Sequence, residues 1–164
     1  MKSIHRPLRA LCLLGGLACA MAAAAGTVNV SFVDPTKFTD AGDSQWDEQA
    51  NIQAFGKYLQ ALGWLLPADE LLKVEVLDID LAGTLQPSRR DGAPLRVVRG
   101  RADIPRFHLR YTLEAPGQAA RSGDEWVSNV NYSQGVRRSR RSEPLYQETH
   151  LLQAWFRQRF GPQD

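Results

Sequence analysis

The sequence KVEVLDIDLAGTL, residues 73–85, decides the fold of this chain. It is the densest run of β-forming residues in the sequence. One register of such a strand buries Leu77, Ile79 and Leu81. Because successive side chains of a strand point to opposite faces, the same register turns Asp78 and Asp80 together to the other face. We therefore predict a central strand that is buried on one side and carries an acidic pair on the other.

The apolar spacing changes within this strand, between Val76 and Leu77. One extra residue in a strand produces such a change of parity. Either a β-bulge lies there, or the first half of the strand leaves the zone that a helix covers. Gly83 marks the expected end of the strand.

Two stretches have the apolar spacing of amphipathic helices. In the first, Ser44 is a typical N-cap and Gly63 a typical stop. Its apolar stripe consists of Ile52, Phe55, Leu59 and Leu62. The second begins at Pro144 and ends at Gly161. Its apolar face consists of Leu145, Leu152, Trp155, Phe156 and Phe160.

Alternation predicts three further strands. Residues 27–33 form a half-buried strand, and residues 107–113 form a clearer one, joined by a turn to a returning strand from about residue 121 to 132. One face of the returning strand holds Trp126, Val130 and Tyr132, and the other holds Val127, Asn129 and Asn131. The proline-, glycine- and arginine-rich residues 86–105 predict a long loop, in which Leu95 to Val98 is a candidate short strand.

The predicted order is strand, helix, strand, hairpin, helix. Two amphipathic helices can cover one face of a four-stranded sheet but not both. The sequence therefore predicts an α+β fold, a two-layer sandwich with a mostly antiparallel four-stranded sheet and two helices on one face. The other sheet face is expected to be open to water.

The first 25 residues are typical of a cleaved secretory signal peptide. They combine three basic residues, an apolar run too short to span a bilayer, and small alanines before position 26. We predict a signal peptide at 1–25, one globular domain at 26–164, a periplasmic location and no transmembrane segment in the mature chain. A lipid anchor at Cys19 is an alternative. Both cysteines, Cys12 and Cys19, lie within the signal, so no disulfide is expected.

Charge excludes one class of partner. Without the signal, 17 basic residues face 18 acidic residues, so the excess of positive charge belongs to the signal and nucleic acid is not a predicted partner. Arginine clusters at residues 89–101 and 137–141 suggest an envelope protein or an anionic envelope component as partner. Solvated loops that neutralise the acidic half of the chain are the alternative interpretation.

The candidate binding residues follow from the predicted open face. If Phe107 and Leu109 point inward, their neighbours point outward beside the acidic pair. The predicted ligand- or partner-binding set is Asp78, Asp80, Arg106, His108, Arg110, Asn129 and Asn131. Such a face can bind a small polar ligand or a peptide, or its residues can simply satisfy each other as cross-strand pairs.

The sequence predicts no metal site and no cofactor. The predicted mature chain has two histidines, His108 and His150, and lacks zinc-type spacing, a nucleophile elbow and a phosphate loop. Asp34, Asp40 and Asp43 lack the spacing of a calcium loop and are expected to be solvated. An enzyme is the less favoured class. The hydrolase alternative uses Asp78 and Asp80 with His108 as acid and base, and no catalytic residue is assigned.

Four stretches resemble one protein family: NVSFVDPTKFTDAG, EVLDIDLAG, the basic loop before the hairpin, and LLQAWFRQRF. They are similar to the family known as domain of unknown function 3016, of Gram-negative secreted proteins. The resemblance covers the predicted mature chain, and DIDLAG at 78–83 is its most specific part. It implies a periplasmic or envelope location and supplies no catalytic residue.

Together these features predict a non-enzymatic binding or accessory module of the envelope that uses the open sheet face and the basic loops. The hydrolase is the second hypothesis. An assembly factor that associates through a free sheet edge is the third.

Overall fold

The computed structural model describes residues 25–92, 94–98, 103–128 and 145–161. The helices are α1 (Gln45–Ala61) and α2 (Tyr146–Phe160), and short 3-10 turns span Pro35–Lys37 and Leu62–Leu65. The strands are β1 (Thr27–Phe32), β2 (Leu71–Asp80), β3 (Thr84–Pro87), β4 (Pro94–Val97), β5 (Arg106–Glu114) and β6 (Arg121–Val127). These elements confirm the predicted α+β class.

The main sheet has four strands in the order β1-β2-β5-β6. β1 and β2 are parallel, whereas the pairs β2-β5 and β5-β6 are antiparallel. The prediction of a mostly antiparallel sheet is therefore only partly right. The chain leaves β1, passes through α1 and re-enters at the same end of the sheet, which is the connection that parallel strands require.

One face of the sheet is buried under the two helices, which contact each other. From the sheet, this core takes Val28, Leu72, Val74, Val76, Ile79, Phe107, Leu109, Leu113 and Val127. From the helices and the turn after α1 it takes Phe55, Leu59, Leu62, Leu151, Leu152, Trp155, Phe156 and Phe160. Burial of this apolar surface is the main source of stability.

The predicted start of the first helix is confirmed, whereas its α-helical part ends at Ala61, before the predicted stop at Gly63. Ser44 has extended backbone angles, and its hydroxyl accepts a hydrogen bond from the N–H of Asp47. This bond satisfies one of the amides that a helix start leaves without a partner. At the other end the α-helix passes into the 3-10 turn that contains Gly63, where an added Cβ would lie 2.5 Å from the carbonyl oxygen of Gly26.

The change of parity in β2 is a β-bulge. The register against β5 shifts between Val76 and Asp78, while Val76 and Ile79 are both buried. Because of this extra residue, Ile79 points into the core, and Asp78 and Asp80 point outward. Of the two explanations for the parity change, the bulge is confirmed.

The segment between β2 and β5 contains a second sheet. β3 and β4 form an antiparallel hairpin in which Thr84 pairs with Val97 and Leu85 with Arg96. β4 agrees with the short strand predicted near Leu95 to Val98. β3 was not predicted as a separate strand, and it overlaps the predicted loop only at Gln86 and Pro87.

The predicted face of β6 needs a correction. Trp126 lies on the open side, with 56% of its surface exposed, whereas Val127 points into the core. Asn129 and Asn131 lie outside the described residues, as do residues 1–24 of the predicted signal, Arg99, Arg101, Arg137 to Arg141 and Pro144.

Within the described ranges, neither helix has the length and apolar character needed to cross a membrane.

Candidate ligand-binding face

The sheet surface opposite the two helices is called the open face. It consists of the outward side chains Asn29 and Ser31 of β1, Lys73, Glu75, Asp78 and Asp80 of β2, Arg106, His108, Arg110, Thr112 and Glu114 of β5, and Ser122, Asp124 and Trp126 of β6. Five of the seven predicted binding residues lie in it: Asp78, Asp80, Arg106, His108 and Arg110. The open face is therefore polar, with one large exposed aromatic ring.

Asp80 and Arg106 form a cross-strand ion pair. They lie opposite each other in the register, and Asp80 Oδ2 accepts from Arg106 Nε at 3.1 Å and from Nη2 at 2.6 Å. The guanidinium is more exposed than the carboxylate. An exposed pair of this kind contributes at most about 1 kcal/mol to stability, so it is available for exchange with a ligand.

Asp78 is bound to a loop instead of to the neighbouring strand. Its Oδ1 accepts from the N–H of Thr39 and its Oδ2 from the Thr39 hydroxyl, both at 2.6 Å. Both carboxylate oxygens are thus used to hold the segment between β1 and α1. Asp78 and Asp80 share a face but bind different partners, and they do not act as one acidic pair.

Trp126 stacks on His108 at the outer edge of the open face. The ring centroids are 4.6 Å apart and the planes are inclined by 12°. His108 Nε2 lies 2.6 Å from Asp124 Oδ1. Since a carboxylate only accepts, Nε2 carries the proton in this contact. The imidazole is held from two directions, and it fixes one face of the indole while the other remains in solvent.

Asp124 joins this stack to the centre of the open face. Its Oδ2 accepts from Arg110 Nε at 3.1 Å, and Arg110 Nη1 donates to Glu75 at 3.3 Å. Hydrogen bonds from His108 and then from Arg110 lower the pKa of the Asp124 carboxyl. The pKa of Arg110 is raised by the same acids. Asp124 therefore stays ionised to lower pH than an isolated aspartate.

The basic side chains of the open face are all paired within it. Lys73 pairs with Glu114 at 2.6 Å, and Arg106 and Arg110 pair with the acids already named. Each of the three basic side chains on the described part of this face has an acidic partner there. Acidic side chains outnumber basic ones on this face, so it has no surplus of positive charge.

A shallow groove of about 450 Å³ lies on the same side of the sheet. Strand residues 29–31, 73–75 and 110–112 line it. Its polar side chains come from three neighbouring strands, and Arg110 belongs both to the groove and to the chain of contacts that ends at Trp126. Hydrogen bonds through Arg110, Asp124 and His108 therefore connect the groove to the aromatic ring.

A second polar cluster escaped the sequence prediction. Arg96 on β4 donates to Asp40 through Nη1 at 2.8 Å and Nη2 at 3.0 Å, and to Asp43 through Nε at 2.8 Å. Asp40 and Asp43 were expected to be solvated, and they instead bind a guanidinium that is 20% exposed. No local pattern pairs residues that are more than fifty positions apart. The cluster attaches the hairpin to the segment before α1.

Glu148 is the buried carboxyl of the described chain, with 5% of its surface exposed. Its Oε1 accepts a hydrogen bond from the N–H of Ala82 at 3.0 Å. Burial raises the pKa of Glu148, although the bond from Ala82 and the charge of Arg96 oppose the shift. This contact fixes α2 to the end of β2, within the DIDLAG stretch.

The described ranges contain no group of three or more metal-ligating side chains. Each acid or base that the hydrolase alternative would use has a different partner: Thr39 for Asp78, Arg106 for Asp80 and Asp124 for His108. No observation favours that alternative.

The fold and the open face define a class: a two-layer α+β domain that covers one sheet face with helices and leaves a polar, ion-paired face in solvent. Residues 26–158 match the family described as "Protein of unknown function (DUF3016)". The chain belongs to this family, which confirms the resemblance of its sequence motifs. The comparisons with curated proteins and with solved structures find no match.

Proposed function

We propose that this chain is an exported, non-enzymatic module that binds a partner or ligand through its open face. The observation that carries the proposal is the exposed Trp126 ring, held in place by His108 beside a polar groove. Trp46 and Trp64 are more exposed, so what distinguishes Trp126 is its stacking on His108 within the polar face, an arrangement that presents an ordered aromatic ring to a ligand. The signal-like first 25 residues support export to the periplasm.

Binding without catalysis suits the geometry of this face. Its ionisable groups are paired with each other across strands, and the groove beside them is open to solvent. Acid–base catalysis works best in a water-excluding site with groups of shifted pKa that face a reacting atom. A solvated, charge-paired surface is better suited to recognition. Docking of an anionic component on the arginine-rich loops stays a prediction.

Site-directed photocrosslinking in cells that express the full chain tests this proposal. A photoreactive residue is placed at Ser31 or Ser122 on the open face, and at Gln53 or Gln60 on the exposed side of α1 as the matched control. We expect discrete crosslinked products from the two open-face positions and none from the two helix positions. Equal labelling from both sets, or none from the open face, would contradict the proposal.

A further inference from the structure

We infer that the ligand of the open face is a neutral glycan chain, which stacks one sugar ring on Trp126 and lies across the strands toward the groove. This inference rests on the proposed use of the open face. It comes from three properties of that face: its charge, its shape and the position of its aromatic ring.

The charge of the open face argues against an acidic ligand. Phosphate-rich or strongly acidic ligands need a surplus of positive side chains. On the described part of the open face, three basic residues meet five acidic ones, and each basic one is already paired with an acid. A ligand with many hydroxyl groups matches this surface, because each hydroxyl both donates and accepts hydrogen bonds.

The distribution of apolar surface argues against a protein partner. The centre of a protein interface is depleted of charge and rich in apolar side chains. Here charged pairs occupy the middle of the face, and Trp126 lies on the outermost strand β6. A peptide added as an extra strand would use a sheet edge and not this face. A lipid surface would need a larger apolar patch.

The aromatic ring is already ordered for stacking. Trp126 contacts His108 on one face and is 56% exposed, so its free face can receive the flat C–H surface of a sugar ring. His108 is itself held by Asp124, which reduces the conformational freedom lost when a ligand binds.

The span of the site argues for a chain of sugars. β6 and β1 are separated by three strand spacings, which is roughly 14 Å at the usual interstrand distance. Trp126 lies at one side of this span, and Asn29 and Ser31 line the groove at the other. A single sugar ring cannot contact both, whereas an oligosaccharide can.

Calorimetric titration of the mature chain tests the inference with three neutral tetrasaccharides: the β-1,4-linked N-acetylglucosamine tetramer, cellotetraose and maltotetraose. We expect at least one to bind, and its monosaccharide to bind much more weakly. W126A should weaken that binding about tenfold or more, the loss typical of removing one stacking ring. W46A, which removes the more exposed tryptophan of α1, should leave the affinity within about twofold.

Several results would overturn the inference: no binding of any of the three at millimolar concentration, equal affinity for monomer and tetramer, an unchanged affinity of W126A, or competition by a charged alternating Lys–Glu peptide. Thermal unfolding of W126A at the wild-type temperature shows that the variant is folded. If no glycan binds but crosslinking from Ser31 and Ser122 continues, only the assignment of a glycan as the ligand is excluded. Loss of the crosslinks removes the proposed function as well.

Discussion

The carboxylate of Asp78 accepts two hydrogen bonds from Thr39, one from the backbone N–H and one from the hydroxyl. Directly after Thr39, Asp40 forms a parallel bridge to Asp80, and its N–H donates to the carbonyl of Ile79. The chain thus leaves the sheet after β1, makes a short excursion and returns beside the end of β2. The stretches FTDAG and DIDLAG, far apart in the sequence, are one structural unit.

Removal of the Asp78 carboxylate should loosen this excursion. We expect D78A to lower the free energy of unfolding by about 1–2 kcal/mol, since charge-assisted hydrogen bonds are stronger than neutral ones. D78N should cost less, because its amide can donate to the Thr39 hydroxyl while its oxygen still accepts the N–H. Urea unfolding followed by circular dichroism measures these differences.

D80A is the matched control on the same strand and face. Its exposed partner Arg106 remains solvated after the substitution, so the loss should stay below about 1 kcal/mol. If D80A is as destabilising as D78A, the two acids are equivalent and the assignment of Asp78 to the loop is wrong.

Local sequence patterns were sufficient to predict the elements that depend on contacts between residues close together in the sequence. The Ser44 cap, the apolar stripe of α1 and the parity change at Val76 each reflect contacts or geometry inside one element, and the structure confirms them. The outward direction of Arg106, His108 and Arg110 also followed from alternation alone. Most of the open face was therefore predictable from β2 and β5.

Long-range pairing was not predictable in this way. The attachment of Arg96 to Asp40 and Asp43 depends on a hairpin with little apolar patterning. The outward position of Trp126 runs against the tendency of large aromatic side chains to be buried, since Val127 beside it fills the core instead. The strand-helix-strand order was available as a signal for parallel β1 and β2.

Arg96 should hold the hairpin through its geometry and not its charge alone. A lysine has no planar fork and cannot serve both Asp40 and Asp43 in the same way. We expect R96K to lower the free energy of unfolding by about 1–3 kcal/mol and to speed amide hydrogen exchange in β3 and β4. R106K, at the more exposed pair with Asp80, should change stability by less than about 1 kcal/mol and leave the hairpin amides protected. Equal exchange in both variants would contradict this role of Arg96.

The pKa of Asp124 reports on the integrity of the open face. His108 is the larger cause of its lowered pKa and Arg110 the smaller one. Carbon-detected NMR titration of the carboxyl should therefore show a rise toward the ordinary value in H108A and a smaller rise in R110A. Because the folded-state pKa is below the unfolded one, this group stabilises the fold above the ordinary value and loses that contribution as the pH falls. A larger rise in R110A would show that Arg110 is the dominant partner.

Glu148 should give the opposite pH dependence. Burial raises its pKa in the folded chain above the ordinary value of 4.5, so the folded state keeps a proton that the unfolded state has released. Its effect on stability is most favourable below that ordinary value and declines as the pH rises through the folded-state pKa.

E148Q keeps an oxygen for the N–H of Ala82 and cannot ionise, so its stability relative to wild type should increase between about pH 4 and pH 7. E148A leaves that buried N–H without its acceptor and should cost about 1–3 kcal/mol at low pH, and this cost should fall as the pH rises because alanine cannot ionise either. Urea unfolding of the three proteins across this range measures both effects. If the stability of E148Q relative to wild type instead falls with rising pH, the charge of Arg96 favours the ionised carboxylate enough to overcome its burial.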